Sequence, residues 1–131
     1  MASDSLRTVE LGYCLVTGGA GFLGRHLAAE LLRRGLRVRV FDRRAGGTTH
    51  ERLDVLIGDL RDPAQVRTAC DRVDTVFHTA ALFCFLRFPT PEEREASVAV
   101  NVGGVQNVVR ACRDAGVRRL IHTSTNNVTF G

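Results

Sequence analysis

The sequence has no lysine and no tryptophan, and its one tyrosine is Tyr13. All 18 basic residues are therefore arginine, against 14 acidic ones, for a net charge of +4. The arginines are scattered along the chain, and most read as solvated helix faces. Nucleic-acid binding would want a concentrated basic stripe with aromatics between the charges, so no nucleic-acid partner is expected. The cysteines, Cys14, Cys70, Cys84 and Cys112, lie far apart with no Cys-x-x-Cys spacing. They read as reduced, buried thiols of an intracellular protein, and no metal site is expected. Long hydrophobic runs are missing too. Residues 1–12 hold no secretory signal, and the longest apolar run, residues 80–86, is far too short to span a bilayer. A cytoplasmic location is expected, with membrane association only through segments outside this sequence. The 131 residues suit one domain, which at this size buries about two-thirds of its unfolded surface.

What is present is a glycine cluster with informative flanks. Residues 13–24 read as a short apolar strand, then Gly18, Gly19, Ala20 and Gly21, then Phe22, Leu23 and Gly24 opening an amphipathic helix. Gly19, Gly21 and Gly24 fit the spacing of the dinucleotide fingerprint, and Gly18, Gly21 and Gly24 fit its wider-spaced variant. An early glycine permits a sharp turn at positive φ. A middle one lets the backbone approach a pyrophosphate, and the last lets the helix pack close to the strand. The helix then aims its unpaired N–H groups and positive dipole end at the phosphates. A bare tight turn would explain the glycines alone, but not the strand before, the helix after and an acidic residue about 20 positions on.

The remaining pattern repeats this alternation. Residues 1–11 form a flexible lead-in, and 12–131 one nucleotide-binding domain. Strands are predicted at 12–17, 36–42, 53–58, 74–79 and 117–123. Helices are predicted at 22–34, from the Asp62–Pro63 cap to about residue 72, and from the Thr90–Glu93 capping box to about residue 115. Gly35 and Gly116 stop two of them. In the second strand Leu36, Val38 and Val40 alternate with Arg37 and Arg39, which predicts one exposed face. Gly103 and Gly104 cost the last helix stability, so something is expected to pack very close there. The order β-α-β-β-α-β-α-β predicts an α/β, Rossmann-type doubly wound parallel sheet, order 3-2-1-4-5, with the ligand crevice at the carboxyl ends of strands one and four. The pattern stops just after strand five, which reads as a truncated, incomplete domain.

Asp42 ends strand two, where a carboxylate accepts hydrogen bonds from the adenine-ribose hydroxyls. It also repels a 2′-phosphate, by about 4 kcal/mol for unit charges about 4 Å apart at an effective dielectric near 20. NAD is therefore expected over NADP. Arg43 and Arg44 would pair with a phosphate, lie across the adenine face, or only keep the loop soluble. Asp59, ending strand three, is either an adenine contact or a helix-entry turn residue.

With these residues placed, the chain resembles the N-terminal part of an extended short-chain dehydrogenase/reductase. The motifs that carry the resemblance are Thr17-Gly18-Gly19-Ala20-Gly21-Phe22-Leu23-Gly24, Gly58-Asp59-Leu60, Val76-Phe77-His78-Thr79-Ala80-Ala81, Asn101-Val102-Gly103-Gly104 and His122-Thr123-Ser124-Thr125. Residues 117–130 are most similar to the 3β-hydroxysteroid dehydrogenase and sterol-4α-carboxylate 3-dehydrogenase branch, including short-chain dehydrogenase family 42E. The resemblance implies that Phe22 and Leu23 offer backbone N–H to the pyrophosphate and that Asp42 holds the ribose. It implies further that Asp59 and Leu60 flank the adenine and that Ala80 and Ala81 line the nicotinamide-ribose side. Asn101 would order the active-site backbone. Thr125, or failing it Ser124, would supply the catalytic hydroxyl that polarises a carbonyl; satisfied strand-end hydroxyls are the plain alternative. His78 and His122 read as structural.

One departure is large. The family's proton donor is a Tyr-x-x-x-Lys pair, in which the lysine lowers the tyrosine pKa. This sequence has neither lysine nor a second tyrosine. The expectation is the NAD(P)-binding portion of an oxidoreductase whose full-length form takes an apolar, steroid- or sterol-like substrate, with dimers pairing through the helix around residues 98–109. The alternatives are a non-catalytic NAD(P)-binding regulatory module and an inactive truncated isoform with an unpaired sheet edge. The apolar connector at residues 80–88 would meet a substrate or pack under another domain.

Overall fold

Alternation along the strands sets the layers. The structure, a computed structural model, describes residues 9–82 and 89–124. Its elements are β1 (Cys14–Thr17), α1 (Phe22–Arg33), β2 (Val38–Asp42), β3 (Leu53–Ile57), α2 (Pro63–Cys70), β4 (Thr75–His78), α3 (Pro91–Val98), a π-helical segment (Ala99–Gly103), α4 (Gly104–Ala115) and β5 (Arg119–His122). The five strands make one parallel sheet in the order β3-β2-β1-β4-β5. On one face Leu15, Phe41 and Val76 meet α2 and α4 through Val66, Ala69, Val108 and Ala111. On the other, Cys14, Val16, Val38 and Val40 meet Ala28, Leu31 and Leu32 of α1. β1 is buried on both faces, as a central parallel strand must be.

The helix ends follow local chemistry. Asp62 accepts the N–H groups of Ala64 and Gln65, with Pro63 at the first helical position. Thr90 and Glu93 form the reciprocal capping box. Gly116 ends α4 at φ +69°.

Three expectations are corrected. The arginine-bearing face of β2 is only partly exposed: Arg37 is open to solvent, while Arg39 is half-buried. Arg39 Nη1 lies 2.8–3.3 Å from the carbonyl oxygens of Thr68, Ala69 and Asp71 and so caps the C-terminus of α2. The Arg37 and Arg39 guanidiniums stand 4.3 and 5.1 Å from the Tyr13 ring centroid. Next, α2 stops at Cys70, short of residue 72, because Asp71 is extended and Arg72 turns to φ 63°. Last, the long helix is not uniformly α: its middle turn, Ala99–Gly103, is π-helical. The close approach expected at the glycine pair exists at one member only. A Cβ on Gly104 would lie 3.2 Å from Leu60 Cβ, whereas one on Gly103 would meet nothing within 4 Å.

Candidate functional site

The glycine turn is built by contacts that tolerate no side chain. Gly18 takes φ +70°, donates its N–H to Phe41 O at 2.8 Å, and accepts from Gly21 N at 3.0 Å. A Cβ on Gly18 would sit 2.8 Å from Ala80 Cα, and one on Gly24 would sit 2.1 Å from Gly18 O. The elbow after β1, the first turn of α1 and the segment leaving β4 are thus in backbone contact. Gly19 lies against Val40. At Gly21 a Cβ would meet only Gly18 O, at 3.2 Å.

Gly21 is also the N-cap of α1, and a glycine has no side chain with which to cap. The first turn contains no acidic residue, and no side-chain cap bond is made there. Phe22 and Leu23 are 77% and 51% exposed, so the first turn holds out two apolar side chains beside uncapped N–H groups. The elbow is not filled by side chains. An oxyanion is the group that an uncapped helix start with its dipole favours.

Asp42 faces this elbow. Its Oδ2 accepts the Ala20 N–H at 3.0 Å and its Oδ1 accepts the Arg44 N–H at 3.1 Å. A carboxylate has about four lone-pair positions, so two are left for hydroxyls. The loop beyond folds back until Gly46 approaches Ala20, where a Cβ would lie 3.6 Å from the alanine Cβ.

Asp59, beyond β3, is already held. Arg61 bonds its carboxylate at 2.6–3.0 Å through Nε and Nη2. That bonding keeps the carboxyl at about 2, with the charge of Arg43 adding to it. The Asp59 N–H donates to Gln65 Oε1 at 2.8 Å. Leu60 is buried: its side chain packs under Gly104 and its carbonyl accepts from Asn107 Nδ2 at 2.8 Å.

The segment leaving β4 is fixed from two sides. Thr17 Oγ1 accepts the N–H of Thr79 at 3.1 Å and of Ala80 at 3.4 Å, and Thr79 Oγ1 donates to Thr17 O at 2.5 Å. Directly after the half-buried Ala80 and exposed Ala81, Leu82 is gripped by Asn101 in both directions. The Asn101 Oδ1 accepts the Leu82 N–H and its Nδ2 donates to the Leu82 carbonyl, each at 2.8 Å. Asn101 lies in the π-helical turn, and Ser97 Oγ accepts its second amide proton at 3.0 Å. Ser124 is exposed two residues past β5, while Thr125 lies outside the described residues, as do Cys84 and most of the apolar connector.

Sequence reasoning missed Thr17, Gln65, Ser97 and Asn107 as supports. Their only signals are hydroxyl and amide side chains, and nothing local names the partners. Tyr13 stands at the other end of the sheet, ahead of β1, hydrogen-bonded to Asp54. Burial, then that bond, raises its phenol pKa. Among the described residues no three His, Cys, Asp or Glu side chains are grouped to hold a metal ion, and no helix is long and apolar enough to cross a membrane.

Residues 15–131 match the profile of the 3-beta hydroxysteroid dehydrogenase/isomerase family. The chain is 47% identical over 131 residues to a 3 beta-hydroxysteroid dehydrogenase/Delta 5-->4-isomerase of Mycobacterium tuberculosis, covering 98% of this chain and 35% of that protein. It is 40% identical over 119 residues to the decarboxylating sterol-4-alpha-carboxylate 3-dehydrogenase of Bos taurus, covering 89% and 31%. It therefore spans about a third of the length of these curated relatives. Among solved structures, a short-chain dehydrogenase/reductase superfamily protein from Agrobacterium tumefaciens with bound NAD superposes at a TM-score of 0.80, with 35% identity over 88% of this chain and 33% of that one.

Proposed function

The chain belongs to the 3-beta hydroxysteroid dehydrogenase/isomerase family, and we propose that it binds NAD across the carboxyl ends of β2, β1 and β4. The observation that carries this reading is one arrangement: an uncapped α1 start beside a glycine elbow onto which Asp42 is turned. Phe22, Leu23 and Gly24 N–H groups would take the diphosphate, cradled by Gly18 and Gly21, and Asp42 would take the adenine-ribose hydroxyls. Arg43, Asp59 and Leu60 would border the adenine. Ala80 and Ala81 would line the nicotinamide side, in a segment that Asn101 anchors. When bound, NAD supplies the hydride acceptor for oxidation of a carbinol. Ser124 or Thr125 would then polarise the substrate oxygen in a longer chain acting on an apolar, sterol-like alcohol. Residues 12–131 would be the nucleotide-binding domain of such a chain.

Titration of NADH into the 131-residue protein, by calorimetry, tests this. Asp42→Ala should weaken binding about 10- to 100-fold, the loss expected for hydrogen bonds to a charged group. NADPH should bind less tightly than NADH, because its 2′-phosphate meets the Asp42 carboxylate. A folded protein that takes up no NADH sinks the proposal.

A second reading has its own support. Tyr13 is the only tyrosine and stands at the wrong end of the sheet, with a raised rather than lowered pKa. A tyrosine acid–base group needs the opposite shift. Residues 1–131 by themselves would then bind NAD(H) without turnover. Reduction of NAD by this chain with a 3β-hydroxysteroid, followed at the nicotinamide absorbance, would contradict that.

A further inference from the structure

We propose that His78 is a positioning residue that acts through Thr17 to fix the backbone of Thr79 and Ala80 against the glycine elbow. Its bearing on cofactor affinity rests on the NAD-binding reading above. The placement itself does not.

Thr17 and His78 are paired in register across β1 and β4, and they are 1% and 2% exposed. Thr17 Oγ1 lies 2.7 Å from His78 Nδ1. The same oxygen receives the backbone N–H groups of Thr79 and Ala80. Backbone N–H groups only donate, and a hydroxyl has a single proton. Thr17 therefore accepts from the two amides and gives its proton to Nδ1. His78 must be the neutral tautomer that carries its hydrogen on Nε2. Nε2 is buried and finds no acceptor among the described residues. The bonded ring nitrogen is thus Nδ1, and its partner is Thr17.

The consequence falls on the elbow. A Cβ on Gly24 would lie 2.9 Å from Thr79 Oγ1, and one on Gly18 would lie 2.8 Å from Ala80 Cα. Thr79 and Ala80 are thus wedged against the N-terminal turn of α1. Without the Nδ1 acceptor, the Thr17 hydroxyl has no reason to point its lone pairs at the two amides. The segment would then move, and with it the amide groups of Phe22 and Leu23.

Two substitutions separate this role from mere packing. In His78→Asn the side-chain oxygen stands in for Nδ1. In His78→Leu the volume is kept and the acceptor is lost. Long-range proton–nitrogen NMR of the wild-type chain should find the hydrogen on Nε2. His78→Asn should bind NADH within about 3-fold of wild type, and His78→Leu at least about 10-fold more weakly, the cost of one buried unpaired donor. Hydrogen exchange at the Thr79 and Ala80 amides should accelerate in His78→Leu and not in His78→Asn. A hydrogen on Nδ1 overturns the proposal, as does His78→Leu that matches His78→Asn in exchange. Wild type that binds no NADH defeats the NAD reading, while tautomer and exchange still decide the placement. If His78→Leu does not fold, Thr17→Ser against Thr17→Val asks the same question from β1, and equal exchange in those two overturns it.

Discussion

His78 carries a pH dependence that its surroundings fix. Burial, with His122 stacked 5.3 Å away adding to it, pushes the imidazole from an ordinary 6.5 down to about 4. The folded protein then binds this proton less readily than the unfolded chain. The contribution to stability is whole above about pH 6.5 and is lost as pH falls from there toward 4. At about 1.4 kcal/mol per pH unit, roughly 2 kcal/mol should be gone by pH 5. Glu30 and Asp59, held at about 2 by hydrogen bonds from arginines, lose their share below that window. Urea unfolding at pH 7.5, 6 and 5 should give a wild-type slope that His78→Asn lacks. Equal slopes would mean that His78 does not titrate as its burial requires.

At the scale of elements, two neighbouring glycines should answer differently to the same change. Gly103→Ala adds a methyl group to open space in helical backbone and should stabilise the protein by about 0.5–1 kcal/mol. Gly104→Ala gains the same propensity but presses Leu60 from 3.2 Å, so its gain should vanish or reverse. Urea midpoints of the two variants provide the comparison, and identical shifts would refute the Leu60 contact. Arg39 makes the second element-scale case. Arg39→Met keeps most of the stem and removes the donor to three carbonyls at the end of α2. Stability should fall by about 2 kcal/mol, and amide exchange should rise first in the last turn of α2. Neither outcome follows from the alternation of β2. That pattern placed Arg37 and Arg39 together on one face but said nothing of a helix end lying over it.

At the scale of the whole molecule, Val98, Val102 and Val109 are 54%, 50% and 39% exposed along α3, the π-helical turn and α4. A dimer pairing through the helix around residues 98–109, as the family resemblance implies, would bury this stripe. Sedimentation of the wild-type chain should give a dimer that Val102→Glu converts to monomer, with NADH affinity unchanged. A wild-type monomer at micromolar concentration would remove that surface from consideration.

What the sequence alone determined is what neighbouring residues decide between themselves. Capping pairs, glycine stops and apolar runs bounded by turns marked five strands and the helix starts, because those choices are made within a few bonds of each residue; the strand order followed from the β-α-β alternation. The elbow and the acidic end of β2 were legible for the same reason. Tertiary structure alone decided which polar side chains meet. Thr17 and His78 are 61 residues apart, Leu60 and Asn107 are 47 apart, and Leu82 and Asn101 are 19 apart. No local propensity encodes such pairs. They exist because parallel strands and crossing helices bring distant positions into register, and a hydrogen bond forms only where both groups arrive within about 3 Å.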